Sequence, residues 1–252
     1  MALNNKHAVV TGGGSGVGAA IALKLANDEA KVTILGRRDK FLIETANKHK
    51  NIGWKACDVT NANDVEQCYT TIRKKYGKIN IVIANAGVAF SKPFHKMSSK
   101  DVSSIMDVNL LGVFNSFKYA LKDMESGGWG RMIAISSTAG LKGYSYVSAY
   151  CASKHAVIGL TRSLAIELAK KGITVNSICP SYIDTPMTER TIKNITKLTN
   201  LNTEEAIQEL VASNPQERLI QPSEVAETIS WLCKDSSNSI NGQSISISGG
   251  ET

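Results

Sequence analysis

The 252-residue sequence is short of the features that staple, ligate or divide a chain. Its five cysteines, Cys57, Cys68, Cys151, Cys179 and Cys233, are odd in number and scattered, with no C-x-x-C pair. The four histidines stand apart from the cysteines and from one another. That spacing argues against a disulfide framework and a structural metal, and each histidine reads as a surface or locally hydrogen-bonded side chain. No Pro/Gly/Ser-rich linker or shift in composition splits the chain, so one domain over residues 1–252 is expected. No apolar run approaches the roughly 18 residues of a membrane-spanning helix. The opening MALNNKHAVVTGG enters a strand pattern without the layout of a signal peptide. The expectation is a soluble cytoplasmic protein.

Charge is present in excess of one sign. A formal net charge of +7 favours anionic partners, either nucleic acid or phosphorylated small molecules. The basic residues come in short groups such as Arg73-Lys74-Lys75 and Lys170-Lys171 near predicted helix ends, where cations suit the helix dipole. With no nucleic-acid-binding motif and no single basic stripe, nucleic acid is not expected as a partner.

Short β-branched runs alternate with helical spacing. Apolar runs occur at 7–11, 31–35, 54–57, 79–84, 131–136, 173–179 and 243–248, separated by stretches such as VGAAIALKLAND and EVAETISWLCKD. Strands separated by helical crossovers predict an α/β fold: a doubly wound parallel sheet of about seven strands with helices on both faces. No internal repeat is present.

Two motifs carry chemistry. The first strand runs into TGGGSGVGAAIAL (11–23), where Gly12, Gly16 and Gly18 would let a diphosphate approach the backbone and free N–H groups of a helix. No lysine follows to complete a P-loop. In SAYCASKHAV (148–157), Tyr150 and Lys154 lie four apart, on one helix face. A nearby ammonium would help lower a phenol from near 10 towards about 7, a change worth roughly 4 kcal/mol. Tyr150 would then be the proton donor or acceptor for a substrate oxygen.

In order along the chain, these and further motifs resemble the short-chain dehydrogenase/reductase family. Thr11-Gly12-x-x-x-Gly16-x-Gly18 is similar to its cofactor loop, Asp58-Val59 to its adenine-contacting pair, and Asn85-Ala86-Gly87 to its N-A-G motif. Asn109, Ser137, Tyr150 and Lys154 are similar to its catalytic tetrad, with its usual serine-to-tyrosine gap of thirteen. Pro180-x-x-Ile183-x-Thr185 resembles the segment bordering the nicotinamide. The resemblance implies a Rossmann-type fold and hydride transfer between a nicotinamide and a carbonyl or secondary alcohol. Ser137 would donate to the substrate oxygen, and Asn109 would hold a water connecting Lys154 to solvent. It further implies cofactor contacts from Thr11, Gly12, Ser15, Gly16, Val17, Gly18, Asp58, Val59, Asn85, Ala86, Gly87, Tyr150, Lys154, Pro180, Ile183 and Thr185.

Aligned on the family, Gly36 occupies the position where an NAD site carries a carboxylate, and Arg37 follows it. A guanidinium suits a 2′-phosphate, so NADP(H) is favoured over NAD(H), with Asp39 the group that could reach the ribose instead. Two departures stand out: Ser181 replaces a usual glycine after the proline, and Ala84-Asn85 a usual double asparagine. Residues 186–220 read as an amphipathic helical lid over the substrate. Overall likeness is to 3-oxoacyl thioester reductases and 3-hydroxyacyl or 3-hydroxybutyrate dehydrogenases, which suits a coenzyme A or carrier-protein substrate. Dehydrogenases of steroids, sugars or small alcohols and a catalytically silent dinucleotide-binding scaffold are the alternatives. A homotetramer built on helices within 101–122 and 150–170 is also implied.

Overall fold

In the computed structural model, which describes residues 3–252, seven parallel strands form one sheet in the order β3-β2-β1-β4-β5-β6-β7. They are β1 (His7–Thr11), β2 (Lys31–Gly36), β3 (Ile52–Ala56), β4 (Ile81–Ala84), β5 (Gly130–Ile135), β6 (Ile173–Pro180) and β7 (Ser244–Ile247). The connecting helices are α1 (Gly16–Asn27), α2 (Asp39–Ala46), α3 (Ala62–Tyr76), α4 (Ser99–Met106), α5 (Gly112–Gly127), α6 (Ser148–Leu168), α7 (Pro186–Leu198), α8 (Thr203–Val211) and α9 (Pro222–Leu232).

Successive strand residues serve opposite cores, as the two-residue period of a strand requires. Ala8 and Val10, Ile81 and Ile83, and Ile133 and Ile135 join α1 and α9 residues on one face. Val9, Val82, Ala84, Met132 and Ala134 join α3, α5 and α6 residues on the other. Because both faces are covered, the strands read as unbroken apolar runs. A third, smaller cluster lies apart from the sheet: Ile192 of α7 packs with Ala206 and Leu210 of α8.

Helix ends follow local chemistry. Asn61 caps α3, Ser98 and Asp101 form a capping box on α4, and left-handed Gly128 closes α5. The basic trio Arg73-Lys74-Lys75 occupies the last turn of α3 as expected. Arg73, however, is more than a solvated cation. Its Nε donates to the buried Asp123 carboxylate at 2.8 Å, and Asp123 also accepts from Ile79 N. Strand β3 begins two residues before the predicted run because Ile52 and Gly53 pair with Val32 and Thr33. Gly53 hides this from the sequence: a Cβ there would lie 2.4 Å from the Tyr76 hydroxyl.

From β1 the chain winds one way to β2 and β3, and from β4 it winds the other way to β7. With right-handed crossovers this reversal puts helices on opposite faces and opens a crevice beyond the carboxyl ends of β1 and β4. Side chains fix that edge. Thr11 Oγ1 accepts from the N–H groups of Asn85 and Ala86, both at 3.0 Å, and Asn85 Nδ2 donates to Thr11 O at 2.9 Å. Thr11→Val keeps the shape and removes the shared acceptor. It should cost about 1–3 kcal/mol in urea unfolding, the range for stranding a buried donor; unchanged stability would show the tie to be dispensable.

Candidate functional site

The crevice is a cavity of about 640 Å³ running across the switch point. One end is the glycine turn. Gly12, Ser15, Gly16, Val17 and Gly18 line it, and Gly12 and Gly16 have φ of +66° and +53°. Crowding also requires glycine: a Cβ on Gly12 would sit 2.9 Å from Asn85 Nδ2, and one on Gly18 2.4 Å from Gly12 O. No side chain caps the first turn of α1 and no acidic residue lies in it. Its N–H groups therefore face the cavity unpaired, a fit for a diphosphate.

Beyond the glycine turn the wall is formed by Gly36, Arg37, Arg38, Phe41, Asp58 and Val59. Arg37 is exposed and 4.0 Å from the Asp58 carboxylate. Arg38 lies over the Phe41 ring at 4.4 Å, while Asp39 does not line the cavity. Asp58 also accepts from Thr60 N at 3.0 Å and Thr60 Oγ1 at 2.8 Å. Burial raises its carboxyl, but these bonds and Arg37 outweigh that and hold it below the usual range. Among the described residues no group of three metal-ligating side chains occurs.

At the opposite end the cavity reaches Ser137, Tyr150 and Lys154, together with Asn85, Ala86, Gly87, Pro180, Ile183 and Thr185. Ser137 follows β5 in extended backbone; its Oγ accepts from Ala139 N at 3.1 Å and makes a long 3.4 Å bond to Pro180 O. Tyr150 and Lys154 lie one turn apart on α6, with Lys154 Nζ 5.5 Å from the Tyr150 ring centre. The Lys154 ammonium is buried and donates to Ile135 O at 2.8 Å.

Two residues expected to make direct contact stand behind the wall. Thr11 is fully engaged in the β1–β4 tie. Asn109 is buried in a π-helical turn, Asp107–Leu111, between α4 and α5. Its Oδ1 accepts from Val88 N at 2.8 Å, and its Nδ2 donates to Val88 O at 2.9 Å and Ser153 Oγ at 3.0 Å. Ser153 in turn donates to Tyr150 O. Both amide N–H groups and one Oδ1 lone pair have protein partners, so the side chain braces the β4 loop against α6.

The electrostatics also differ from expectation. Burial pushes the Tyr150 phenol up to about 12, with the Ser137 hydroxyl acting the other way. Burial pushes Lys154 down to about 8. In the protein alone desolvation is the largest influence on both groups, a tertiary effect that residue spacing does not encode.

Sequence reasoning missed several wall residues. Phe90, Tyr144, Val147 and Tyr182 line the cavity, as do Met187 and Arg190 of α7. The segment carrying α7 and α8 is pinned at its base, where Asp184 N donates to Ile220 O and Ile220 N to Tyr182 O, both at 2.9 Å. Gly16 accounts for the fit of α7 against the glycine turn: a Cβ there would lie 3.3 Å from Thr185 Cγ2. Glu251, also unforeseen, accepts hydrogen bonds from Tyr144 and Ser181 beside this wall.

Lys154 carries a stability cost with a definite sign. Folded Lys154 binds its proton less readily than the unfolded chain, so the penalty is full below about 8 and fades towards the ordinary lysine value of 10.5. Lys154→Met should therefore be about 1–2 kcal/mol more stable than wild type at neutral pH, with the gap narrowing in alkali. Urea unfolding at several pH values checks this; a less stable variant at neutral pH would contradict it.

The chain is similar to known proteins along nearly its whole length. A family model for short chain dehydrogenase matches residues 6–196. A 3beta-hydroxysteroid dehydrogenase of Mediterraneibacter gnavus is 34% identical, covering 99% of this chain and 95% of its own. A 3-oxoacyl-(acyl-carrier-protein) reductase of Mycobacterium bovis is 32% identical, covering 98% and 92%. The crystal structure of an actinorhodin polyketide ketoreductase variant with NADPH superposes with a TM-score of 0.95 at 32% identity, over 100% of this chain and 99% of that one. With a family match over most of its length and relatives of this similarity along nearly all of it, the chain belongs to the short-chain dehydrogenase family, whose enzymes use NAD(P).

Proposed function

We propose that the chain is an NADP(H)-preferring oxidoreductase interconverting a 3-oxoacyl and a 3-hydroxyacyl group, as a thioester on coenzyme A or a carrier protein or as the free 3-hydroxy acid. The observation that carries the reading is the meeting of Ser137, Tyr150 and Lys154 at one end of a cavity whose middle is the uncapped N-terminus of α1. The nicotinamide, when bound, supplies the hydride for reduction or accepts it in oxidation. In reduction the carbonyl π electrons move to oxygen, which takes the phenolic proton of Tyr150. A phenol pushed up to about 12 is fully protonated at neutral pH and ready to donate. Ser137 would turn its hydroxyl from the weak 3.4 Å bond with Pro180 O to the oxygen that gains charge. Lys154 would hold the ribose, favour the phenolate left after transfer and relay its reprotonation, while Asn109 keeps α6 in register.

The preference for NADP(H) rests on Arg37 and Arg38 lining the cavity where Gly36 offers no carboxylate and Asp39 stays outside it. The apolar side chains of Phe90, Val147 and Met187 in the cavity wall suit an acyl chain, and Arg190 suits a phosphorylated carrier. The carrier-protein reductase and the polyketide ketoreductase among the relatives support the same class. The hydroxysteroid dehydrogenase supports a second reading, another secondary alcohol against the same apolar wall. We take the chain to act as one oxidoreductase domain with residues 186–220 as its lid, in cytoplasmic acyl-group metabolism. Exposed apolar side chains on α4, α5 and α6, namely Val102, Phe114 and Ile166, support assembly as a homotetramer. No helix among the described residues is long and apolar enough to cross a membrane.

The test is acetoacetyl coenzyme A with NADPH or NADH, followed by nicotinamide absorbance. Oxidation of NADPH should be faster than that of NADH, and Tyr150→Phe should lose at least about a hundredfold, the scale of a lost general acid. Turnover near wild type in Tyr150→Phe would overturn the mechanism. Gly36→Asp should shift preference towards NADH by placing a carboxylate against the phosphate; an unchanged ratio would overturn the Arg37 assignment.

A further inference from the structure

Past β7 the chain makes a turn that no motif explains. Gly249 and Gly250 have φ of +63° and +102°, and a Cβ on Gly249 would fall 2.0 Å from Asn214 Oδ1. Only glycine allows the chain to pass so close to the segment after α8 and turn inward. The turn delivers Glu251, whose side chain is 1% exposed, to a position behind the cavity wall formed by Tyr144 and Ser181.

Four donors converge on that carboxylate. Tyr144 and Ser181, both lining the cavity, donate their hydroxyls to it. Lys142 Nζ lies 2.9 Å away, and Ser213 Oγ donates at 3.0 Å. Burial raises the Glu251 carboxyl, but these donors outweigh it and keep it below the usual range. The carboxylate is thus ionised and nearly saturated, as a buried charge must be.

The donors come from three separate parts of the site. Tyr144, 2.7 Å from Thr138 Oγ1, reaches the residue next to Ser137. Ser181 follows Pro180, whose carbonyl receives the Ser137 hydroxyl. Ser213 belongs to the far end of the 186–220 segment, whose own apolar cluster is separate from the sheet cores. Ser181 stands where the family usually has glycine, and its hydroxyl is what reaches Glu251 here.

We propose that Glu251 is a positioning residue for the substrate, tying the segment carrying α7 and α8 to both walls that flank Ser137. Resting on the carbonyl-reductase reading of the cavity, it adds a determinant of substrate affinity outside the residues that touch the reacting atoms. Glu251 holds the Tyr144 ring and Ser181 in place at the substrate end, and none of its partners belongs to the glycine turn or the Arg37 wall. Its loss therefore loosens substrate before cofactor.

The experiment compares wild type with Glu251→Gln, Glu251→Ala and Ser213→Ala. Three quantities are read: KM and kcat for acetoacetyl coenzyme A at saturating NADPH, NADPH affinity by its fluorescence, and the rate of tryptic cleavage after Lys193 and Lys197. Glu251→Gln should raise KM roughly tenfold, the effect of losing hydrogen bonds to a charged group, with kcat falling less. NADPH affinity should stay within about twofold, since an effect below that is within a few tenths of a hydrogen bond. Cleavage should quicken in both Glu251 variants and in Ser213→Ala, which cuts only the tie to that segment. Unchanged KM and cleavage in Glu251→Gln would overturn the proposal, as would an equal loss of NADPH affinity. Should wild type not turn over acetoacetyl coenzyme A, the acyl-thioester reading fails while the cleavage rates still decide whether Glu251 ties the segment. Should Glu251→Ala not fold, Glu251→Gln and Ser213→Ala carry the test.

Discussion

The tie between Thr11 and Asn85 holds the site open. Two adjacent parallel strands whose connections leave in opposite directions diverge at their carboxyl ends, and nothing in the backbone ladder fixes how far. Here one hydroxyl and one amide fix it: Thr11 Oγ1 accepts from two backbone N–H groups of the β4 loop, and Asn85 Nδ2 donates to the carbonyls of Thr11 and Gly12. The glycine turn, the first turn of α1 and the loop bearing Gly87 all depart from this junction. Gly87 itself lies between the two halves of the reacting end, since a Cβ there would be 3.4 Å from Asn109 Oδ1 and 3.7 Å from Lys154 Nζ.

Burial sets the chemistry at that end. Tyr150 and Lys154 are moved in opposite directions by the same cause: the phenol is held protonated and the ammonium loses part of its hold on its proton. The two shifts keep the proton on the phenol at neutral pH, and the lysine's shift is the one that costs folding energy there, the exchange of stability for function that such sites make. The surroundings are correspondingly stiff. Lys154 is anchored to β5 through Ile135 O, and Asn109 and Ser153 hold the first turn of α6 against the β4 loop.

What was legible in the sequence is what is local. The seven strands appear as apolar runs to within two residues, because period and burial are written in adjacent positions. The glycine turn and the Tyr150–Lys154 spacing are visible for the same reason. Contacts across long separations are not. Arg73 meets Asp123 fifty residues on, and Tyr144 meets Glu251 at a separation of 107. The bracing role of Asn109 depends on a π-helical turn, and the elevated phenol of Tyr150 depends on how much water the folded chain excludes. The Gly249-Gly250 pair hints at the inward turn that carries Glu251 against Tyr144 and Ser181.

The proposed site is one cavity that would hold a dinucleotide along the switch point, with its reactive end at Tyr150 and Lys154. A crystal structure with NADP bound tests it most directly. The predicted density runs from Arg37 and Asp58, across the Gly12–Gly18 turn, to Lys154. A dinucleotide lying in the reverse direction, or outside this cavity, would contradict the account.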